Sequence, residues 1–204
     1  MKTAWMLTTF LFLVACSGFQ SKVPAPASYV LTGPTLPTAP VAATVDLKVL
    51  QPGAPTALAG ARVASRWPGG RVDYFADVRW AGSLGEVVQA ALVESLANTG
   101  SVRSVMADPA RLRATHLLAV EVTAFEADYT AGSVPVARVA MSFSLASSGE
   151  GRPMAHLRVR AEQRAEENTL SAVMRAMDAA FQEAADEGLR AMLTQLPGAA
   201  ASVN

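Results

Sequence analysis

The sequence predicts an α/β sandwich in which a mixed, largely antiparallel sheet is packed by two main helices. Alternating apolar and polar residues recur over 45–50, 61–66 and 71–75, and again over 116–128, 134–146 and 154–165. That period of two marks half-buried strands. Two other segments, one after Ser83 and one from Thr169, repeat their apolar residues at helical spacing. Hairpin, helix, further strands and a closing helix make a sheet with helices packed on it.

Before this domain stands a leader. Lys2 precedes an apolar run that begins at Ala4 and ends at Leu13-Val14-Ala15-Cys16. Charge, short apolar core and small residue before the cut describe a signal peptide over 1–15. The run is shorter than the roughly 20 residues that a spanning helix needs. Cys16 is the sole cysteine, so no internal disulfide is open to it. The tetrad resembles a bacterial lipobox, which makes Cys16 the expected lipid attachment site. Its thiol would carry a diacylglycerol, and the amine freed by cleavage would carry an N-acyl chain. One acyl chain anchors only marginally, whereas two or three hold a protein on a membrane. The competing reading is an ordinary signal peptide that happens to end in cysteine. Position, spacing and uniqueness favour lipidation.

From Cys16 to Thr44 the chain reads as a tether rich in Pro, Ala, Ser and Thr, with Pro24, Pro26, Pro34, Pro37 and Pro40. Such a segment favours extended structure over helix or sheet interior. Within it, Tyr29-Val30-Leu31 is an apolar triplet. Composition leaves two readings open, a short strand docking on the domain or a chance fluctuation.

The domain proper is expected over 45–197. Trp67-Pro68-Gly69-Gly70 supplies a turn between the second and third strands, so this pair reads as a hairpin. Ser83 and Glu86 form an S-x-x-E capping box, and Leu84, Val87, Val88, Ala91, Leu92 and Leu96 follow on one face. Gly100 suits the left-handed position that ends a helix. A short strand is expected over 102–106, and Asp108-Pro109 would cap a single helical turn through Arg113. Gly132-Ser133 and Gly149-Glu150-Gly151 separate the three longer strands, predicting an antiparallel meander. The last helix, about 169–196, carries Val173, Met177, Phe181, Ala184, Leu189 and Leu193 in its apolar stripe. Pro197-Gly198 closes it, and 198–204 should be a disordered tail.

Formal net charge is zero, so no basic excess is available to hold a phosphate backbone, and nucleic acid is not an expected partner. Charged residues make up 17% of the chain, against roughly 25% in average soluble proteins. That deficit suits a surface partly covered by a ligand or another subunit, including a second copy of the chain. His116 and His156 each open a strand, and no Cys, Asp or Glu stands at metal-ligand spacing from either. Ser83 in Gly82-Ser83-Leu84-Gly85 lacks the G-x-S-x-G pattern of a nucleophile elbow and is better read as a helix cap. Glu162, Glu166 and Glu167 with Arg160 and Arg164 read as a solvated strand end. The mixed, acidic polar face of the last helix suits core packing rather than a membrane surface. The expectation is a protein without catalytic, metal or cofactor residues, and not an enzyme.

The order of features resembles the ABC-type transport auxiliary lipoproteins. The lipobox leads into Tyr29-Val30-Leu31 and the strand at 45–50; then come Leu58-Ala59-Gly60-Ala61-Arg62-Val63, Arg66, Tyr74 and Arg79-Trp80-Ala81-Gly82-Ser83-Leu84. His116 to Val122 and Phe125-Glu126-Ala127-Asp128 are similar to that family's central strand. The chain departs from the pattern at Gly82-Ser83, where Glu-Pro is usual, and at Thr56-Ala57-Leu58-Ala59, where a Pro-x-Tyr-Leu-Asp run is usual. The first change keeps a helix cap, and the second removes an aromatic and an acid. Trp80 is expected in the core, because it precedes a helix that must pack on the sheet.

The resemblance implies an anticodon-binding-domain-like fold, an α/β/α arrangement with a mixed sheet. It also implies an outer-membrane lipoprotein on the periplasmic face, working with an ABC permease and ATPase and an MCE-domain protein to move lipid or hydrophobic compounds between membranes. Ser17 after Cys16 fits that location, since inner-membrane members commonly carry Asp there. Two other functions stay open: a lipoprotein that itself binds a lipid or sterol, and a structural or activating lipoprotein of the envelope.

Overall fold

One long strand organises the sheet. In the computed structural model, which describes residues 25–38, 43–149 and 151–197, β6 (His116–Asp128) is bonded along both edges. The other elements are β1 (Ala27–Tyr29), β2 (Ala43–Val49), β3 (Arg62–Arg66), β4 (Val72–Trp80), α1 (Leu84–Ala97), β5 (Val102–Ala107), β7 (Val136–Ser147), β8 (Pro153–Arg164) and α2 (Leu170–Leu193). A short 3-10 turn, Pro68–Gly70, joins β3 to β4. The signal peptide expected over 1–15, Cys16 and the tail over 198–204 lie outside the described residues.

Along one edge β6 pairs antiparallel with β7, which pairs antiparallel with β8, as the meander predicted. Along the other edge two parallel strands share it. Leu47 and Val49 of β2 lie opposite His116 and Leu118, while Ala64 and Arg66 of β3 lie opposite Glu126 and Asp128. Between them Gly53 bridges to Glu121, its amide donating to the Val120 carbonyl at 3.0 Å. Beyond these, β2 carries β5 in parallel, and β3 carries β4 antiparallel and then β1 in parallel. The sheet is mixed, and its two most extensive pairings are antiparallel.

The strand boundaries follow the alternation closely, and two segments differ from expectation. β4 runs on to Trp80, because Val78 and Trp80 continue the buried face begun by the hairpin. No helical turn forms at 108–113, which is a turn followed by irregular chain. The Lys48 ammonium donates to the Ala110 carbonyl at 2.9 Å, so that segment is held by β2 rather than by helical bonds.

Both helices lie on one face of the sheet. On β6 to β8 that face carries Leu118, Val120, Val122, Phe143 and Val159, and on β2 it carries Val45, Leu47 and Val49, all buried. Fully burying a side chain of this size contributes about 1.5–3 kcal/mol. α2 lies so close to β7 that a Cβ at Gly188 would sit 2.3 Å from the Phe143 ring. Trp80, Phe125 and Phe181 pack in the same layer, the first pair edge to face and the second tilted, with ring centroids 5.4 and 6.2 Å apart. Among the described residues the elements therefore form two layers, a sheet and its helices, rather than the α/β/α order the resemblance implied. On the opposite face the middle of β6, β7 and β8 carries charged and polar side chains interleaved with alanines, which leaves little apolar surface for a third layer to bury.

Candidate functional site

Two features of the described chain stand outside ordinary core packing: a docked leader segment on the helix side and an uncovered sheet face opposite.

The apolar triplet proves to be part of the domain. Ala27, Ser28 and Tyr29 pair in parallel with Val78, Arg79 and Trp80 of β4. The Ala81 amide donates to the Tyr29 carbonyl at 2.7 Å. Leu31 and Leu36 then enter the core, 6% and 7% exposed. The Thr32 amide donates to Asp178 Oδ1 of α2 at 2.8 Å, while Gly33 lies against Ala91 and Ser95 of α1. The segment thus runs between the two helices. Gly33 is needed there because a Cβ would fall 2.4 Å from the Ala91 carbonyl oxygen.

On the uncovered face, residues from β6, β7 and β8 stand in rows set by the register. Glu126, Arg138 and Glu162 form one row. Next to it Ala124, Ala140 and Arg160 align, then Glu121, Ser142 and Arg158, then Ala119, Ser144 and His156. In the first row every charge is paired. Arg66 binds Glu126, Arg138 binds Asp128, and Arg138 Nε lies 3.2 Å from Glu162 Oε1. Burial alone would raise the Asp128 carboxyl, but hydrogen bonds from the Thr130 hydroxyl and amide, with the charges of Arg138 and Arg66, lower it below its ordinary value. In the middle rows the charges are unpaired. Arg158, Arg160 and Glu121 have no salt bridge or side-chain hydrogen bond among the described residues. They flank a depression of about 660 Å³ floored by Ala140 and Ser142.

The residues singled out from sequence do not converge. Ser83 caps α1: its hydroxyl accepts from the Glu86 amide, and Glu86 Oε2 accepts from the Ser83 amide at 2.7 Å. Those bonds from Ser83, backbone first, hold the Glu86 carboxyl below its ordinary value. His116 is buried with Nδ1 2.9 Å from Thr115 Oγ1, and His156 is exposed with Nδ1 2.9 Å from Ser144 Oγ. Trp80 is 2% exposed and sits in the core. Glu166 pairs with Arg175 at 3.0 Å. Among the described residues no group of three His, Cys, Asp or Glu could hold a metal ion, and no helix is long and apolar enough to cross a membrane. Sequence reading treated Arg160 only as part of a solvated strand end and did not single out Arg158, Glu121 or Ser142. The signal available was the i, i+2 spacing of the two arginines, which places them on one face of a strand.

A crystal structure of a Xanthomonas campestris protein assigned to family DUF330 superposes with a TM-score of 0.73, at 21% identity, over 83% of this chain and 97% of that one. The crystal structure of an uncharacterized protein superposes with a TM-score of 0.64, at 16% identity, over 82% of this chain and 99% of that one. At these identities the likeness shows a shared fold. No functionally curated protein matches the chain in sequence. The family model described as ABC-type transport auxiliary lipoprotein component matches residues 29–187, from the docked Tyr29 to the last turns of α2. The chain belongs to that family of ABC-type transport auxiliary lipoproteins.

Proposed function

We propose that the protein is a non-enzymatic accessory lipoprotein of an ABC transport system that contains an MCE-domain protein. In this role it docks the assembly at the periplasmic face of the outer membrane, and lipid or another hydrophobic compound moves between the membranes. The family match over residues 29–187 carries the reading. The Leu13-Val14-Ala15-Cys16 tetrad adds the anchor: diacylglycerol on the Cys16 thiol and an acyl chain on its amine.

The docked leader bears on how such an anchor works. β1 begins at Ala27, so residues 17–26 are the chain between Cys16 and the sheet. At about 3.5 Å per extended residue that length reaches no further than about 40 Å. A 16–44 tether would allow far more. The domain would therefore work close to the membrane that holds Cys16.

Crosslinking in intact envelopes followed by pull-down tests the partnership. Recovery of an MCE-domain protein together with ABC subunits is the expected result, and repeated recovery of neither defeats it. Cys16→Ala should release the protein from the outer-membrane fraction with its fold intact. Retention there would remove the anchor from the reading.

A further inference from the structure

We propose that the depression on the uncovered face of β6, β7 and β8 binds a zwitterionic phospholipid headgroup, with its phosphate on Arg158 and Arg160 and its ammonium on Glu121. The inference stands on the geometry of the face and requires neither the anchor nor the transport partners.

Three observations carry it. Arg158 and Arg160 lie two residues apart on β8, so both guanidinium groups project from one face. Neither has an internal counter-charge among the described residues, although carboxylates neutralise Arg66 and Arg138 nearby. Glu121 faces Arg158 across the small Ser142, two strand spacings away, about 10 Å between backbones. The opposed charges therefore border a gap instead of closing it. The third observation is Ser142 itself. It is 9% exposed and lines the depression.

Each feature selects a ligand property. Two guanidinium groups side by side present planar forks of N–H donors, from which the non-bridging oxygens of a phosphate can accept together. The Ser142 hydroxyl adds a donor from the floor. On the opposite wall, Thr123 Oγ1 already donates to the Ala140 carbonyl at 3.2 Å, which leaves its lone pairs to accept from an ammonium beside Glu121. A phosphate ester with an ammonium one ethylene bridge away satisfies both walls at once. A purely anionic headgroup would leave Glu121 opposed. A trimethylated ammonium would offer no N–H to Glu121 or Thr123.

The test uses the full chain carrying Cys16→Ser, so that lipidation does not itself drive membrane binding. Calorimetric titration with glycerophosphoethanolamine should show saturable binding, weaker with glycerophosphoglycerol, glycerophosphocholine and inorganic phosphate. Co-sedimentation with phosphatidylethanolamine-containing vesicles should exceed that with phosphatidylcholine vesicles. Arg158→Ala with Arg160→Ala should weaken binding by about tenfold or more, and Arg158→Lys with Arg160→Lys should restore part of it. Glu121→Gln should abolish the preference for ethanolamine over glycerol. Unfolding midpoints of the variants control for the fold. No saturable binding of glycerophosphoethanolamine, or binding unaffected by the arginine changes, overturns the proposal. Equal binding of inorganic phosphate overturns the zwitterionic assignment. Binding of the soluble headgroup without any vesicle preference overturns the phospholipid as its source. Because the partner pull-down reads a different surface and a different molecule, either result can fail without the other.

Discussion

The two faces of the sheet carry the same strands and meet opposite fates. On the covered face β7 presents Val139, Met141, Phe143 and Leu145 to α2, all at most 1% exposed. One residue out of step, Arg138, Ala140, Ser142 and Ser144 look the other way over a face that no helix covers among the described residues. The covered face holds the fold together through apolar area, which is large in sum and indifferent to detail at any one polar atom. The uncovered face contributes little area, and its charges are either tied in a network at one end or left unpaired in the middle. Apolar burial and surface charge are thus divided between odd and even positions of a single strand.

That division orders the expected effects of substitution. Phe143→Ala on the covered face should cost about 3–5 kcal/mol through lost contacts and a residual cavity. Chemical denaturation reads it, and a loss below about 1 kcal/mol would mean that α2 does not depend on that face. Leu31→Ala should cost about 2–3 kcal/mol and expose residues 27–38 to proteolysis while the remainder stays folded. An unchanged cleavage pattern would show that the leader is dispensable to the covered layer.

Asp128→Asn belongs to the paired end of the uncovered face and should cost about 2 kcal/mol, the worth of hydrogen bonds to a charged group. Its pH dependence has a definite sign. A carboxyl lowered below its ordinary value of 3.8 stabilises the fold fully above that value and loses its contribution as pH falls through the lowered one. Asp46, held at about 2 by hydrogen bonds from Arg103 and Ser104, behaves alike. Stability of the parent should therefore decline below pH 4 and decline less steeply in Asp128→Asn. Identical acid profiles would remove Asp128 from the account.

Gly188→Ala is smaller still. Helix propensity favours alanine by up to about 1 kcal/mol, whereas overpacking against Phe143 costs about 1–3 kcal/mol. The net should be a loss of about 1 kcal/mol, and a gain would show that the ring can move aside. Arg158→Ala with Arg160→Ala should change stability by less than about 0.5 kcal/mol. A larger loss would make these side chains part of the fold instead of a surface free to bind.

Much of this was legible in the chain. Alternation located β6, β7 and β8 within two residues of their ends, and the capping box set the start of α1 at Leu84. Pairing order was not legible, because period two says which residues share a face and is silent on which strand lies alongside. Nothing local marks β6 as the strand that β2 and β3 share. The leader was misjudged in extent for a related reason. Prolines made 16–44 read as tether, yet Leu31, Pro34 and Leu36 are buried because two distant helices leave a channel for them. The unpaired arginines escaped notice because whether a charge has a partner depends on neighbouring strands.

By itself the sequence determined most of the secondary elements of residues 45–197 and the family resemblance, since each rests on short-range spacing or local chemistry. Only the tertiary structure decided that both helices share a face, that residues 27–36 complete the domain, and that Glu121, Ser142 and Arg158 stand in one row. Those outcomes depend on the register between segments far apart in the chain. Register is settled by which apolar faces can be buried together, a property of the assembled layers and of no single stretch.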